Sequence, residues 1–141
     1  MKVEAVKTND EELRVMLESG LVLREAGRLD EAERIFLGVR DLAPQSDVPL
    51  VALSSIAARR KNFDEALRLC EEALRQEPES LFARVHRAEI LLYQKKGEEA
   101  ETDLREIIEQ NPESPHARSA QSLLDVARMI SGTEENNSAG K

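Results

Sequence analysis

The sequence has few of the residues on which disulfides, hairpins, aromatic cores and membrane spans depend. Its 141 residues include one cysteine, six glycines, five prolines and no tryptophan, and aromatic side chains make up 3%. A single cysteine excludes an internal disulfide or a thiolate metal cluster. The longest uncharged stretch, residues 48–58, is about half of the roughly 20 residues that a spanning helix needs, and residues 1–10 lack the apolar core of a secretory signal. These absences predict a cytoplasmic protein that does not cross a membrane.

Charge and composition also bear on possible partners and on the fold class. Lys and Arg number 20 against 28 Asp and Glu, which gives a formal net charge of -8. Because phosphate contacts require clustered Lys and Arg, we expect no nucleic-acid binding. Strong helix formers such as Ala, Leu, Glu and Arg dominate, and strand formers never alternate over a long run. The composition therefore predicts an all-α fold.

Five columns of the sequence recur at a step of 34 residues, and such internal repetition predicts an array of identical structural units. We place the repeats at 13–46, 47–80 and 81–114. The recurring columns are Pro44, Pro78 and Pro112; Ala32, Ala66 and Ala100; the acidic pairs at 30–31, 64–65 and 98–99; Phe36, Cys70 and Leu104; and Val39, Ala73 and Ile107.

Each repeat predicts two helices joined by a tight turn. In the first repeat the turn falls at residues 26–28, where Gly27 can adopt a left-handed conformation at little cost. A second helix is predicted over 29–42, and Pro44 ends the unit because its ring opposes helix continuation. Ser114 and Pro115 are a start signal for a capping helix over 115–131. The folded domain is thus expected over 10–131, between a flexible segment at 1–9 and a disordered tail at 132–141.

Signatures of catalysis are absent. The chain has no glycine-rich phosphate loop, no HExxH, no GxSxG and no CxxC. Its two histidines, His86 and His116, have no nearby cluster of further metal ligands in the sequence. Cys70 stands where the repeat is expected to bury an apolar side chain, so we interpret it as a small core residue. The sequence therefore predicts a protein that is not an enzyme and uses no metal or cofactor.

The repeat pattern resembles the tetratricopeptide repeat, a 34-residue helix–turn–helix unit of right-handed superhelical solenoids. Arg84 and Arg87 depart most from it, and their charged heads are expected to reach solvent. The resemblance implies an all-α solenoid of three units plus a C-terminal capping helix. The first repeat carries Met16, Ser19, Gly20, Leu23, Ala32, Phe36 and Pro44 where the family favours Trp, Leu, Gly, Tyr, Ala, an aromatic residue and Pro.

The resemblance also implies a binding surface, because the first helices of this family line a concave groove. Apolar side chains dominate the corresponding positions, and an extended apolar surface usually marks a binding site. The implied partner-binding residues are Arg14, Leu17, Leu21, Arg24, Val48, Val51, Ser55, Arg59, Phe82, Val85, Glu89, Leu92, Tyr93 and Leu123.

Two family sub-types give different expectations for that groove. One holds the acidic tail of heat-shock chaperones through Lys, Asn and Arg, but the matching positions here hold none of these and that sub-type is disfavoured. The other comprises small bacterial secretion chaperones, whose groove holds an apolar or amphipathic segment. The sequence thus predicts an adaptor or chaperone for a protein or peptide segment. A homo-oligomerising scaffold, such as a homodimer, and a regulatory domain of a secretion or assembly system stay open. The clamp positions are Leu17, Leu21, Ala52, Phe82 and His86.

Overall fold

A computed structural model describes the backbone of residues 9–139 and the side chains of residues 9–132. Within that range the secondary structure consists of seven α-helices and no strand, which confirms the predicted all-α fold. None of these helices is long and apolar enough to cross a bilayer. They are α1 (Asp10–Glu25), α2 (Leu29–Leu42), α3 (Val48–Arg59), α4 (Phe63–Gln76), α5 (Leu81–Tyr93), α6 (Gly97–Gln110) and α7 (Pro115–Ala139).

The helices form a solenoid of three helix pairs followed by α7. Each first helix packs on its own second helix, and each second helix packs on the first helix of the next unit. The first helices also contact one another in series, α1 with α3, α3 with α5 and α5 with α7. The second helices begin at residues 29, 63 and 97, so the step of 34 residues in the sequence is also the step of the structure.

The turn inside each pair has one left-handed residue. Gly27 has a φ of 79°, as predicted, while lysines hold the equivalent positions at Lys61, with a φ of 62°, and Lys95, with a φ of 61°. In each turn the next residue donates its N–H back over five residues; in the first, Arg28 donates to the Leu23 carbonyl at 2.9 Å. This arrangement satisfies carbonyls at the end of the first helix and fixes the angle at which the second helix leaves.

The contact between the two helices of a unit is made by a pair of side chains whose sizes compensate. In the first unit the Phe36 ring lies over Gly20, where a Cβ would come under 3.0 Å from three ring carbons. In the second unit Ser54 donates to the Ala66 carbonyl at 2.7 Å and lies 3.2 Å from the Cys70 sulfur. The third unit uses Ala88 and Leu104, both fully buried. A small residue on one helix thus faces a larger one on the other in every unit.

At two positions where repeat two has Leu50 and Leu53, repeat three has arginines that form partly exposed ion pairs. Arg87 donates two hydrogen bonds to Asp103, the shorter at 2.9 Å, and Arg84 lies 3.3 Å from Glu106. The Arg84 side chain is 16% exposed and the Arg87 side chain 30%. Their stems are thus largely covered, and carboxylates on α6 pair with their charged heads.

The C-terminal helix is longer than the sequence predicts. The predicted capping helix ends at 131 and is followed by a disordered tail, whereas α7 continues to Ala139. Gly132 costs about 1 kcal/mol inside a helix, yet no proline follows it to force an end. At the other end Asn9 caps α1, since its side chain accepts the Glu12 N–H at 2.8 Å. The rest of the predicted flexible segment, residues 1–8, and residues 140–141 lie outside the described part of the chain.

Candidate functional site

The first helices of the three units enclose a groove of about 730 Å³ on the inner side of the solenoid. We call it the inner groove. Its walls come from α1, α3 and α5, and the turn between α3 and α4 closes one end. It is lined by Leu17, Leu21, Arg24, Val48, Val51, Ala52, Ser55, Ala58, Arg59, Lys61, Phe63, Phe82, His86, Glu89 and Tyr93.

Most of the residues implied by the family resemblance lie in the inner groove. They share a position on the inward side of a first helix, where no second helix covers them. Those that line it are Leu17, Leu21, Arg24, Val48, Val51, Ser55, Arg59, Phe82, Glu89 and Tyr93.

Four of the expected residues do not line it. Leu92 is only 8% exposed and belongs to the core formed by repeat three and α7. Val85 and Leu123 are half-buried and pack against that same core. Arg14 is exposed on α1 and forms ion pairs with Glu11 and Glu18 of the same helix. Leu92, Val85 and Leu123 lie where α7 packs on α5 and closes that part of the wall, whereas Arg14 lies on α1 outside the residues that line the groove.

Several lining residues were not among the expected ones. Lys61 and Phe63 come from the turn and from the start of α4, outside the first helices to which the family pattern pointed. The Phe63 ring stacks on Tyr93 with centroids 6.0 Å apart. An aromatic residue directly after the turn, where the other units have Leu29 and Gly97, is the sequence signal for this wall. Ala52 and His86 were identified only as clamp positions.

The groove has an apolar end formed by the starts of α3 and α5. Val48 and Phe82 are large apolar side chains that remain exposed there, and Leu21, further along the groove on α1, is exposed as well. Phe82 also lies against the His116 ring of α7, with centroids 6.4 Å apart. Val51, by contrast, is only 1% exposed and forms the floor. The apolar end thus offers side chains that water contacts in the isolated molecule.

The other end of the groove is polar and links α1 to α3. Arg24 donates to the Ser55 hydroxyl at 2.7 Å, and Arg59 donates to the Arg24 carbonyl at 3.2 Å. Arg59 also donates to Glu25 at 2.7 Å. Hydrogen bonds from Arg24 and Arg59 hold the pKa of the Glu25 carboxyl below its usual value. These bonds fix the two arginines at the rim.

A second polar pair lies on α5. His86 Nδ1 is 3.6 Å from the Glu89 carboxylate, and interactions with His86, then with Arg24 and Tyr93, lower the pKa of Glu89 against the opposing effect of burial. Among the described residues, His86 Nε2 and Arg24 Nε are buried groove atoms without a hydrogen-bond partner. Buried polar atoms are rarely left unpaired in proteins, so these two call for an explanation.

No metal-binding cluster is formed by the described side chains, in which three or more His, Cys, Asp or Glu never come together as ligands. Cys70 is buried, and burial raises the pKa of its thiol to about 11. A thiol with such a pKa stays protonated near neutral pH and is a poor nucleophile.

Comparison with known proteins agrees with this architecture. Residues 57–124 match the family model described as tetratricopeptide repeat, which leaves repeat one outside the matched region. No curated protein sequence matches the chain.

Solved structures resemble the whole array. The first domain of human RPAP3 has a TM-score of 0.74 at 24% identity, covering 88% of this chain and 95% of that one. The first repeat domain of Spaghetti (RPAP3), bound to an HSP90 peptide, has a TM-score of 0.68 at 21% identity, covering 90% and 99%. The Yersinia enterocolitica type III secretion chaperone SycD, in complex with a peptide of the translocator YopD, has a TM-score of 0.68 at 17% identity, covering 86% and 95%. At these identities the likeness shows the fold.

Proposed function

We propose that the inner groove holds an amphipathic segment of a partner protein and that the molecule is a non-catalytic adaptor or chaperone, as its likeness to the tetratricopeptide-repeat fold supports. The observation that carries this proposal is the exposed apolar end of the groove. Soluble monomers rarely expose a concave apolar surface unless it binds something. A volume of about 730 Å³ also lies in the range of roughly 300–1,000 Å³ that is usual for binding clefts.

The kind of occupant follows from the residues at the clamp positions. All five of them line the groove, and four carry apolar side chains while the fifth is His86. Such side chains favour the binding of an apolar occupant, because burial of apolar area stabilises the complex by about 25 cal/mol per Å² before association costs. An acidic tail held only by its charges would gain little there. The structural neighbours that hold an HSP90 peptide and a translocator peptide support a peptide segment as the occupant.

Phe82→Glu tests the proposal directly. A phage library of random 12-residue peptides is selected on the wild-type protein and on the variant. We expect wild-type clones to be enriched in apolar residues at helical spacing, i, i+3 or i+4, and i+7. The variant should retain these clones at least tenfold less well, because the new carboxylate would be desolvated on binding. Phe82 is 44% exposed, so the variant is expected to fold, which circular dichroism checks.

Val126→Glu is the matched control. Val126 is also an apolar residue at 44% exposure, but it lies on α7 and does not line the groove. Its variant should retain the selected clones as the wild type does. Equal retention by folded Phe82→Glu would rule the inner groove out as the binding surface.

Self-association is the competing outcome for the same surface. Light scattering over a dilution series measures the mass of the wild type and of both variants. A dimer that Phe82→Glu dissociates and Val126→Glu leaves intact would show that a second copy, rather than a partner, occupies the groove.

A further inference from the structure

The inner groove carries its charges at one end. Val48 and Phe82 belong to the first turns of α3 and α5, whereas Arg24 and Arg59 belong to the last turns of α1 and α3. First helices of successive helix–turn–helix units run in the same direction, so these two sets mark opposite ends. Lys61 of the following turn joins the charged end. The stacked rings of Phe63 and Tyr93 also lie at the charged end, so an occupant meets apolar side chains along the whole groove but charged groups at this end alone.

The charged end is locally cationic in an acidic protein. Three cations line it, namely Arg24, Arg59 and Lys61. Two carboxylates oppose them: Glu25 is bound by both arginines, and Glu89 lies beside His86. Cations outnumber carboxylates here although the whole chain has a net charge of -8. An acidic group on the occupant would meet a favourable charge at this place and an unfavourable one over most of the remaining surface.

Arg24 is the most firmly held cation of the charged end. A guanidinium has five N–H donors, and Arg24 uses Nη1 for Ser55 and Nη2 for Glu25. Its side chain is 21% exposed against 42% for Arg59, and its Nε is buried without a partner. Arg24 thus presents a fixed guanidinium that still has N–H groups without an acceptor.

We propose that the occupant of the inner groove carries an Asp or Glu side chain that binds Arg24, at the end of the groove opposite to Val48 and Phe82. This inference rests on the proposed function and specifies the chemistry and direction of the bound segment. The apolar residues bind between Val48 and Phe82, and the carboxylate accepts from the unused N–H groups of Arg24. Charge-assisted hydrogen bonds of this kind are about twice as strong as neutral ones and fix geometry.

The test repeats the selection of random 12-residue peptides on protein variants, with peptides joined to the phage coat protein at their C-termini so that only side-chain carboxylates are available. On the wild type we expect Asp or Glu to be enriched at a fixed distance from the apolar positions. On Arg24→Gln that enrichment should be lost while the apolar enrichment persists. Synthetic peptides with the selected acid changed to Gln or Asn should bind the wild type about tenfold more weakly and the variant equally.

Two further variants separate positioning by Arg24 from nonspecific charge. Arg24→Lys keeps the charge but loses the planar fork, so it should retain only part of the preference for the acid. Arg14→Gln removes a cation from the same helix outside the groove and should leave the preference unchanged. Apolar enrichment without acidic enrichment on the wild type, or equal acidic enrichment on Arg24→Gln, would overturn this inference and leave the proposed function standing. If no peptide is enriched over the Phe82→Glu protein, both fail.

Discussion

The inner wall of the solenoid is open in one half and closed in the other, although the same repeat positions build both. In the open half, between α1, α3 and α5, Arg24 lines the inner groove. In the closed half, between α5 and α7, Leu92 stands at the same position of its repeat, 68 residues later, and is only 8% exposed. Repeat position alone therefore does not decide whether a side chain meets a ligand; the packing of the next first helix decides it.

The residues of α7 explain the closure. Its inward side carries Ala117, Ala120, Leu124 and Ala127, all buried, and small side chains allow helices to approach closely. The open half instead has Arg24 and Ser55 bridging α1 and α3 at the rim. Among the described helices, no further first helix packs over this bridge on the groove side, and Arg24 and Ser55 both line the inner groove.

The largest expected effect comes from giving repeat one the core pair of repeat three. Gly20→Ala should lower the free energy of unfolding by about 3 kcal/mol, since its Cβ meets the Phe36 ring and overpacking is costly. Adding Phe36→Leu reproduces the pair that repeat three uses, Ala88 with Leu104. We expect the double variant to be more stable than Gly20→Ala alone, although Phe36→Leu by itself is destabilising. Urea unfolding of the four proteins gives the interaction energy.

That interaction energy decides whether the pairs act as units. A favourable coupling of about 1 kcal/mol or more is expected for side chains in contact. Strictly additive effects would show that Gly20 is required for another reason, and the compensation between the units would then be a coincidence of sequence.

The open and closed halves also show which parts of the fold and of the groove the sequence could predict. The 34-residue step predicted the helix pairs and the buried columns, because periodicity of small and large residues reports which faces pack. Most of the positions proposed on α1 and α3 line the inner groove, but Arg14 does not. Leu92 and Val85 pack in or against the core instead, since a repeat pattern describes one unit and its neighbours on average. Lys61 and Phe63 were missed because they enter the groove from a turn.

A second test measures how firmly each half of the wall is packed. Leu92→Ala should cost about 3 kcal/mol, in the range for removing a buried leucine, because α7 covers that side chain. Phe82→Ala should cost about 1 kcal/mol or less, as its ring is half exposed in the open half. Urea unfolding measures both values. Similar losses for the two would mean that the closed half opens in solution, and Leu92 would again be a candidate for partner contact.

The smallest expected change in stability concerns the left-handed residues of the turns. Lys61 and Lys95 have the same backbone conformation, but only Lys61 lines the inner groove. Lys61→Gly and Lys95→Gly should each raise the free energy of unfolding by about 1 kcal/mol, because glycine tolerates their positive φ. Gly27→Lys should lower it by a similar amount. The stability gains should be equal, but only Lys61 lines the inner groove, so only Lys61→Gly should weaken binding of acidic peptides. Equal binding losses in both lysine variants would show that general charge, rather than the open half of the wall, attracts the peptide.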